Sequence, residues 1–400
     1  MSAARKRVFI ISDTFHPEDK STARILSDTA FELGRTFDVT ALTLQPSVQR
    51  EIGRQPDREE VRGVRIVRAS GSRLNQKVFW QRIINSFLRA PSLGKLARTE
   101  VGRGDVAVVV TNPPQLPYLV SKAGKSRGFK TVLLVHDFYP EVLVGTGRAS
   151  ANHLVVRHWS KAARTLYHRV DRIIVQSESA KSHILRSYGV DPSKIVVIEN
   201  YGEIDLIRPM PKAQSRFSRH QFTVQIAGNI GRGYEYKAIL EAAKILEPEG
   251  DWHFEFVGNG SLLPDLQKGI EELRLSSVTV RDYAPRNEMS ESLAACDVAF
   301  IGYSTAMSEA VPSRLYNVLA SARPLIAMAA PHSELGRCTS ESGIGWVVAP
   351  GDVEGLVKAL RAAKADPDLA EKGRKARELA EARFSPRAFY DKFAEVLSKD

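Results

Sequence analysis

Two doubly wound α/β domains, each a parallel sheet between layers of helix, are the architecture this sequence predicts, and three observations predict it. The first is length: 400 residues are too many for one ordinary hydrophobic core and suit two domains of roughly 200. The second is the character of the apolar runs, which are short, rich in Val and Ile, and do not alternate with polar residues. Strands covered by helices on both faces read this way. The third is that segments with apolar residues at helical spacing separate these runs, so that strand and helix take turns along the chain. A hydrophobic content of 43% and a charged content of 26% are ordinary for a globular protein and argue against disorder.

In the first half, RVFIIS (7–12) opens as a buried strand, and the next stretch places Ala23, Leu26, Ala30 and Leu33 at helical spacing. Further strands are expected at 38–44, 64–69, 106–111, 131–137, 172–177 and 194–200, with room between the later ones for crossover helices. The second half repeats the scheme. Strands are expected at 222–228, 253–258, 278–283, 298–303, 324–329 and 345–350, and helices near 235–247, 261–273, 286–295, 312–321 and 352–365. Prolines and polar residues break the pattern at 207–221, so the join is expected there. The domains are thus 1–206 and 207–384, with 385–400 a terminal helix that starts at Ser385 and carries Phe389, Phe393 and Leu397.

The basic start, MSAARKRVFIIS, has an apolar run too short for a signal-peptide core, and no run approaches the ~18 apolar residues of a membrane span. A cytoplasmic protein is expected, one that meets a membrane only at its surface. Two cysteines, Cys296 and Cys338, are expected to stay reduced and to carry no chemistry. The charge is informative. Of a net +11, all the excess lies in the first half, where residues 1–205 hold 32 basic and 20 acidic side chains; within 61–130, 14 basic residues face only Glu100 and Asp105. Such a bias implies an anionic partner. Nucleic acid is not expected, because no aromatic platform is interleaved with the charge.

FIGYSTAMSEAVPSRLYNVLASARPLIA (300–327) reads as strand, polar loop and helix, with Pro312 at the first helical position and Ser313 and Arg314 in the first turn. The free N–H groups and dipole of a helix start favour a phosphate, and Arg314 adds a charged fork. GNIGRG (228–233) also follows a strand and precedes a helix. Its glycine spacing is neither the dinucleotide-binding G-x-G-x-x-G nor a P-loop, which disfavours a dehydrogenase or P-loop enzyme. It still lets backbone approach a phosphate, with Arg232 at hand.

Read in order, GNIGRG, VGNGSLLPDL (257–266), SEAVPSRLYNVLASARPLIA and VVAPGDVEGL (347–356) resemble retaining glycosyltransferases of family four, which have the GT-B fold of two Rossmann-like domains facing a cleft. SDTFHPE (12–18), TNPPQLP (111–117), VHDFYPE (135–141) and VIENYGEIDLIRP (197–209) support the match, and look most like the branch that builds bacterial surface polysaccharides and lipid-linked sugars. The resemblance implies that the C-terminal domain binds a nucleotide-sugar donor and the N-terminal domain a saccharide or lipid-linked acceptor. It also implies that the terminal helix crosses back to the first domain. Glu309 takes the place of the family carboxylate that contacts the transferred sugar. The second family Glu falls on Asn317, a neutral and weaker partner for ribose. Asn229 and Tyr234 occupy the places of the family's diphosphate-binding Arg and Lys, leaving Arg232 and Arg314 as substitutes. Gly228 to Gly231 are expected under the phosphates or the sugar, and Asp282–Tyr283 beside the base.

His136 and Asp137, at a strand end, are expected to orient the sugar or take the acceptor proton. Glu18 is a candidate on the acceptor side. No metal site is expected: the lone Asp-x-Asp, Asp366-Pro367-Asp368, reads as a turn, so no cofactor is implied beyond the donor itself. In 71–98, Val78, Phe79, Trp80, Ile83, Ile84, Phe87 and Leu88 mingle with Arg73, Lys77, Arg82, Arg89, Lys95 and Arg98, with Arg68 just before and no acid. That is the pattern of a helix lying in a headgroup layer, and a peripheral contact on the inner face of the plasma membrane is expected. The alternatives are a nucleotide-sugar epimerase and a catalytically weak subunit that only binds the sugar nucleotide.

Overall fold

The computed structural model describes residues 5–18, 21–46, 53–70, 79–141, 144, 150, 152–231, 233–303 and 311–399, with backbone alone at 21 and 79–87. Two compact units result: Met1–Ile198 with Tyr390–Asp400, and Glu199–Phe389.

Unit one runs β1 (Arg7–Ile11), α1 (Ser21–Leu33), β2 (Asp38–Leu44), β3 (Arg58–Val61), β4 (Val64–Ala69), α2 (Phe79–Glu100), β5 (Val106–Val110), α3 (Leu116–Arg127), β6 (Lys130–Leu134), α4 (Leu154–Arg169), β7 (Arg172–Val175), α5 (Glu178–Tyr188) and β8 (Ile195–Val197). Its sheet has the order β3-β4-β2-β1-β5-β6-β7-β8 and is parallel except for β3 against β4. The apolar runs of β1 and β5 are buried throughout beyond Arg7, as strands between two helix layers must be. β3 escapes the sequence pattern because REEV is a short, charged edge strand that need not be apolar. Several strands stop short of their apolar runs. Val135 and Ile198 are buried past the ends of β6 and β8, where their N–H groups still bond to Ile174 and Val175 carbonyls.

Two charges of the expected membrane segment turn inward. Arg89 on α2 is buried and ion-paired with buried Asp13 at 3.1 Å. Arg68 has no exposed side-chain surface, pairs with Glu59 of β3 at 2.6 Å and donates to the carbonyls of His16 and Pro56. These two are structural cations, and reading them as headgroup ligands is corrected: each satisfies an acid or carbonyls that the fold has removed from water. Residues 71–78 lie outside the described residues. Among the described residues no helix is long and apolar enough to cross a membrane.

Unit two runs β9 (Phe222–Ala227), α6 (Tyr236–Leu246), β10 (Trp252–Val257), α7 (Leu263–Leu273), β11 (Val278–Arg281), α8 (Met289–Ala294), β12 (Val298–Gly302), α9 (Ser313–Ala320), β13 (Leu325–Met328), α10 (Glu334–Glu341), β14 (Gly345–Val348), α11 (Val353–Ala365) and α12 (Leu369–Arg383). The sheet is parallel, in the order β11-β10-β9-β12-β13-β14. Buried Glu255 ties it together, accepting from Gln225 and from the Arg281 fork, which also reaches the Ser292 hydroxyl. The stretch 207–221 is no free linker. Ile207 is fully buried, Lys212 pairs with Asp297 at 2.5 Å, and Ser215 bonds to the Glu291 carbonyl. The unit boundary accordingly falls earlier, at 198–199. The last helix, α13 (Pro386–Lys399), ends within unit one, where Phe393 and Leu397 are buried and Lys6 Nζ donates to the Leu397 carbonyl at 2.8 Å.

Candidate active site

A doubly wound sheet opens a crevice where its strand order reverses, outside the carboxyl ends of the two strands that flank the reversal. In unit two these are β9 and β12. Three chain segments meet there: 228–235 after β9, 258–262 after β10, and the start of α9.

The first two segments are packed backbone to backbone. Gly228 N–H donates to the Val257 carbonyl, Ile230 N–H to the Asn259 carbonyl and Leu262 N–H to the Ile230 carbonyl, at 2.8 to 2.9 Å. A Cβ on Gly258, whose φ is +147°, would stand 2.1 Å from the Gly228 carbonyl oxygen, so only glycine permits this approach. A Cβ on Gly228 would in turn stand 2.9 Å from the Arg314 guanidinium. Asn229 is exposed on the loop, its side chain beside Gly231 and Gly260.

Arg314 is the centre of the arrangement. One Nη donates to the Ala227 carbonyl at 3.1 Å, and the guanidinium lies over the rings of Tyr234 at 4.5 Å and Tyr303 at 5.2 Å. Those rings meet edge to face. The fold thus holds the cation in a fixed place on aromatic faces. Its Nε and the Tyr234 hydroxyl are both buried without a hydrogen-bond partner of good geometry among the described residues, and burial pushes the Tyr234 hydroxyl up to about 12. Buried donors of this kind are usually satisfied. Pro312 proves to be the N-cap, one residue before the expected position, with Ser313 the exposed first helical residue.

Asn317, one turn on, accepts from the Glu203 N–H at 3.4 Å and points its amide nitrogen at the Met289 sulfur. Tyr283 is 52% exposed beside Gly258, and the Asp282 carboxylate accepts from its N–H. Arg232 and Glu309 lie outside the described residues. Asp366 and Asp368 sit in the turn between α11 and α12, with Asp366 paired to Lys372, as the sequence reading expects. Cys296 and Cys338 are buried, and burial pushes both thiols up to about 12, away from reactivity.

In unit one, His136 and Asp137 follow β6, where Thr111 Oγ1 accepts from both backbone N–H groups at 3.1 Å. Burial pushes His136 down to about 4, so it is neutral at pH 7. Asp137 lines a concavity, and loss of bulk water there raises its carboxyl. Glu18 is buried after β1, at the same edge of the sheet. One group escaped the sequence reading. Glu141 accepts from the Tyr188 hydroxyl and bonds to His183 Nε2 at 3.2 Å, anchoring the segment that carries His136 and Asp137 onto α5. Burial pushes the Glu141 carboxyl up, but these two hydrogen bonds, a backbone hydrogen bond and the nearby His183 together outweigh it and hold it below the usual glutamate range. Only its position in VHDFYPE hinted at a role.

Two doubly wound units in succession are the GT-B architecture, and matches to glycosyltransferase families in both halves make this chain a GT-B glycosyltransferase. More particularly, residues 24–201 match the family described as Glycosyltransferase Family 4, and residues 211–380 the family described as Glycosyl transferases group 1. The chain is 27% identical, over 97% of its length and 96% of the relative's, to a probable glycosyltransferase, WbjE, of Pseudomonas aeruginosa. In fold it resembles sucrose-phosphate synthase from Thermosynechococcus elongatus, with a TM-score of 0.76, 15% identity and 99% of each chain covered. It also resembles Anabaena HepE in complex with UDP, with a TM-score of 0.72, 14% identity, and 99% and 100% covered.

Proposed function

We propose that this glycosyltransferase moves a sugar, with retention of configuration, from a nucleotide-sugar donor bound by unit two to a saccharide or lipid-phosphate-linked acceptor bound by unit one, in the synthesis of a cell-surface glycan. The observation that carries the donor half of this reading is Arg314, a cation at the switch point whose buried Nε has no hydrogen-bond partner of good geometry among the described residues. The diphosphate meets Arg314, the N–H groups at the start of α9 and the glycine backbone of 228–231, which together take up the charge of the leaving group. HepE, similar in fold, binds UDP. By the motif resemblance Glu309 serves the transferred sugar and Arg232 the diphosphate, and Tyr283 and Asp282 flank the base. Asn317 reaches the ribose by exchanging its contact with Glu203. His136, neutral at pH 7, and Asp137 serve the acceptor, with Glu18 at its side. Retention and the surface-glycan acceptor rest on the motif resemblance and on the basic first half.

Isothermal titration with a panel of nucleoside diphosphates tests the donor site. One of them should bind, and Arg314→Ala should weaken it by about 10- to 100-fold, the worth of a charged hydrogen bond. Equal affinity in the folded variant would remove Arg314 from the site.

A further inference from the structure

Arg68, Arg89 and Arg314 are all turned away from water, and they differ in what faces them. Arg68 meets Glu59 at 2.6 Å and Arg89 meets Asp13 at 3.1 Å, so an acid neutralises each charge. Arg314 pairs with no carboxylate among the described residues. It is met by the Ala227 carbonyl and by the rings of Tyr234 and Tyr303. An aromatic face attracts a cation through its quadrupole but carries no net charge. It therefore holds a guanidinium in place without cancelling its charge, which an acid cannot do.

The two rings are themselves fixed. Tyr234 and Tyr303 form an isolated antiparallel bridge between the loop after β9 and the end of β12, and their rings meet edge to face with centroids 6.3 Å apart. The Tyr303 N–H donates to the Met328 carbonyl of β13 at 2.9 Å. The N–H of Glu235, next to Tyr234, donates to the Gly302 carbonyl at 3.4 Å. Tyr234 is 7% exposed. The sheet thus sets both aromatic faces, and a planar cation laid against them takes its position from the sheet as well.

We infer that Tyr234 and Tyr303 are positioning residues of the donor site: they fix the Arg314 guanidinium at the switch point and leave its charge available to the donor diphosphate. The inference deepens the proposed function and rests on its reading that Arg314 meets the diphosphate. It also makes arginine necessary at 314. A lysine ammonium has the same charge but no plane to lay against the rings, and it cannot reach the carbonyl and the ligand from separate nitrogens.

The test is isothermal titration of the full chain with inorganic pyrophosphate and with the panel of nucleoside diphosphates. Tyr303→Leu should weaken both kinds of ligand by roughly 3- to 30-fold, the worth of one cation–π contact, and Tyr303→Phe, which keeps the ring, should bind within about twofold of the unaltered protein. In an Arg314→Ala background Tyr303→Leu should change nothing further, because the ring acts only through the guanidinium. Arg314→Lys should lose as much as Arg314→Ala. Unchanged binding by folded Tyr303→Leu overturns the inference. So does an equal loss where Arg314 is already Ala, which would make the ring a ligand contact or a purely structural group. If Tyr303→Leu does not fold, Arg314→Lys decides: a loss supports the inference, and binding equal to that of the unaltered protein overturns it, since charge alone would then suffice. The two readings fail differently. Full retention of ligand by Arg314→Ala, or no binding by the unaltered protein, rejects the diphosphate reading and the inference with it. Loss of ligand in Arg314→Ala beside an unaffected Tyr303→Leu rejects the inference alone.

Discussion

At the scale of the residue, two tyrosine faces and one carbonyl hold the Arg314 guanidinium, and its buried Nε has no hydrogen-bond partner of good geometry among the described residues. The motif resemblance assigns Glu309 to the transferred sugar, where its charge would stabilise a developing positive charge. Glu309→Gln should lower turnover by at least ~100-fold and leave nucleotide affinity within a few-fold, because such a charge matters chiefly in the transition state. Steady-state kinetics with parallel titration of the nucleotide checks this, and near-normal turnover sinks the role. His253 offers a residue-level test of the fold of unit two. It is 4% exposed, bonds through Nε2 to Thr279, and is pushed from 6.5 down to about 4, first by burial and then by the Arg219 charge. Above pH 6.5 neither the folded nor the unfolded chain protonates it. As pH falls toward 4 the unfolded chain gains a proton that the folded chain refuses, so stability is lost on acidification, by about 2 to 3 kcal/mol at pH 4.5. Urea unfolding at pH 7 and 4.5 should show a smaller loss in His253→Gln than in the unaltered protein.

At the scale of the element, α2 commits one of its charges to the fold. The sequence around it reads as one amphipathic basic segment, yet Arg89 is turned into the unit to meet Asp13, each with a side chain only 8% exposed. Arg89→Gln should therefore act on folding: leaving Asp13 buried without its cation costs about 3 to 5 kcal/mol, seen as a lowered unfolding midpoint. Binding to anionic vesicles should be unchanged. A variant of unchanged stability with weakened vesicle binding would restore Arg89 to the surface. Leu88, next to it, is 53% exposed, since successive helical residues face different sides. The helical periodicity of 79–100 was legible in the sequence. The direction of its arginines was not, because an acid 76 residues away decides it.

At the scale of the whole chain, the final residues close unit one. Phe393, Val396 and Leu397 are buried there, and Lys6, far off in sequence, donates to the Leu397 carbonyl. Each apolar side chain removed from water is worth about 1.5 to 3 kcal/mol. A chain ending after Phe389 should lose several kcal/mol of unit-one stability, read as an earlier melting transition, while nucleoside diphosphate binding in unit two persists. If both transitions stay in place, the terminal helix is dispensable to unit one.

What the sequence determined by itself is what local pattern can encode. Non-alternating Val- and Ile-rich runs specified buried strands, since a strand covered on both faces has no polar side. Helical spacing specified the layers between them, and the turn residues Asp366 and Asp368 stood where they were expected. The glycines of 228–233 announced close backbone approach, and Arg314 stood out because it follows a proline at a helix start. The tertiary structure alone decided the rest. The reversals beside β1 and β9 that create the crevices depend on strand order, which no local signal states. Glu141 meets His183 and Tyr188 across 42 and 47 residues, Arg68 reaches the His16 carbonyl across 52, and Arg89 meets Asp13 across 76. The energy of a buried charge depends on the group opposite it, and only folding brings that group near.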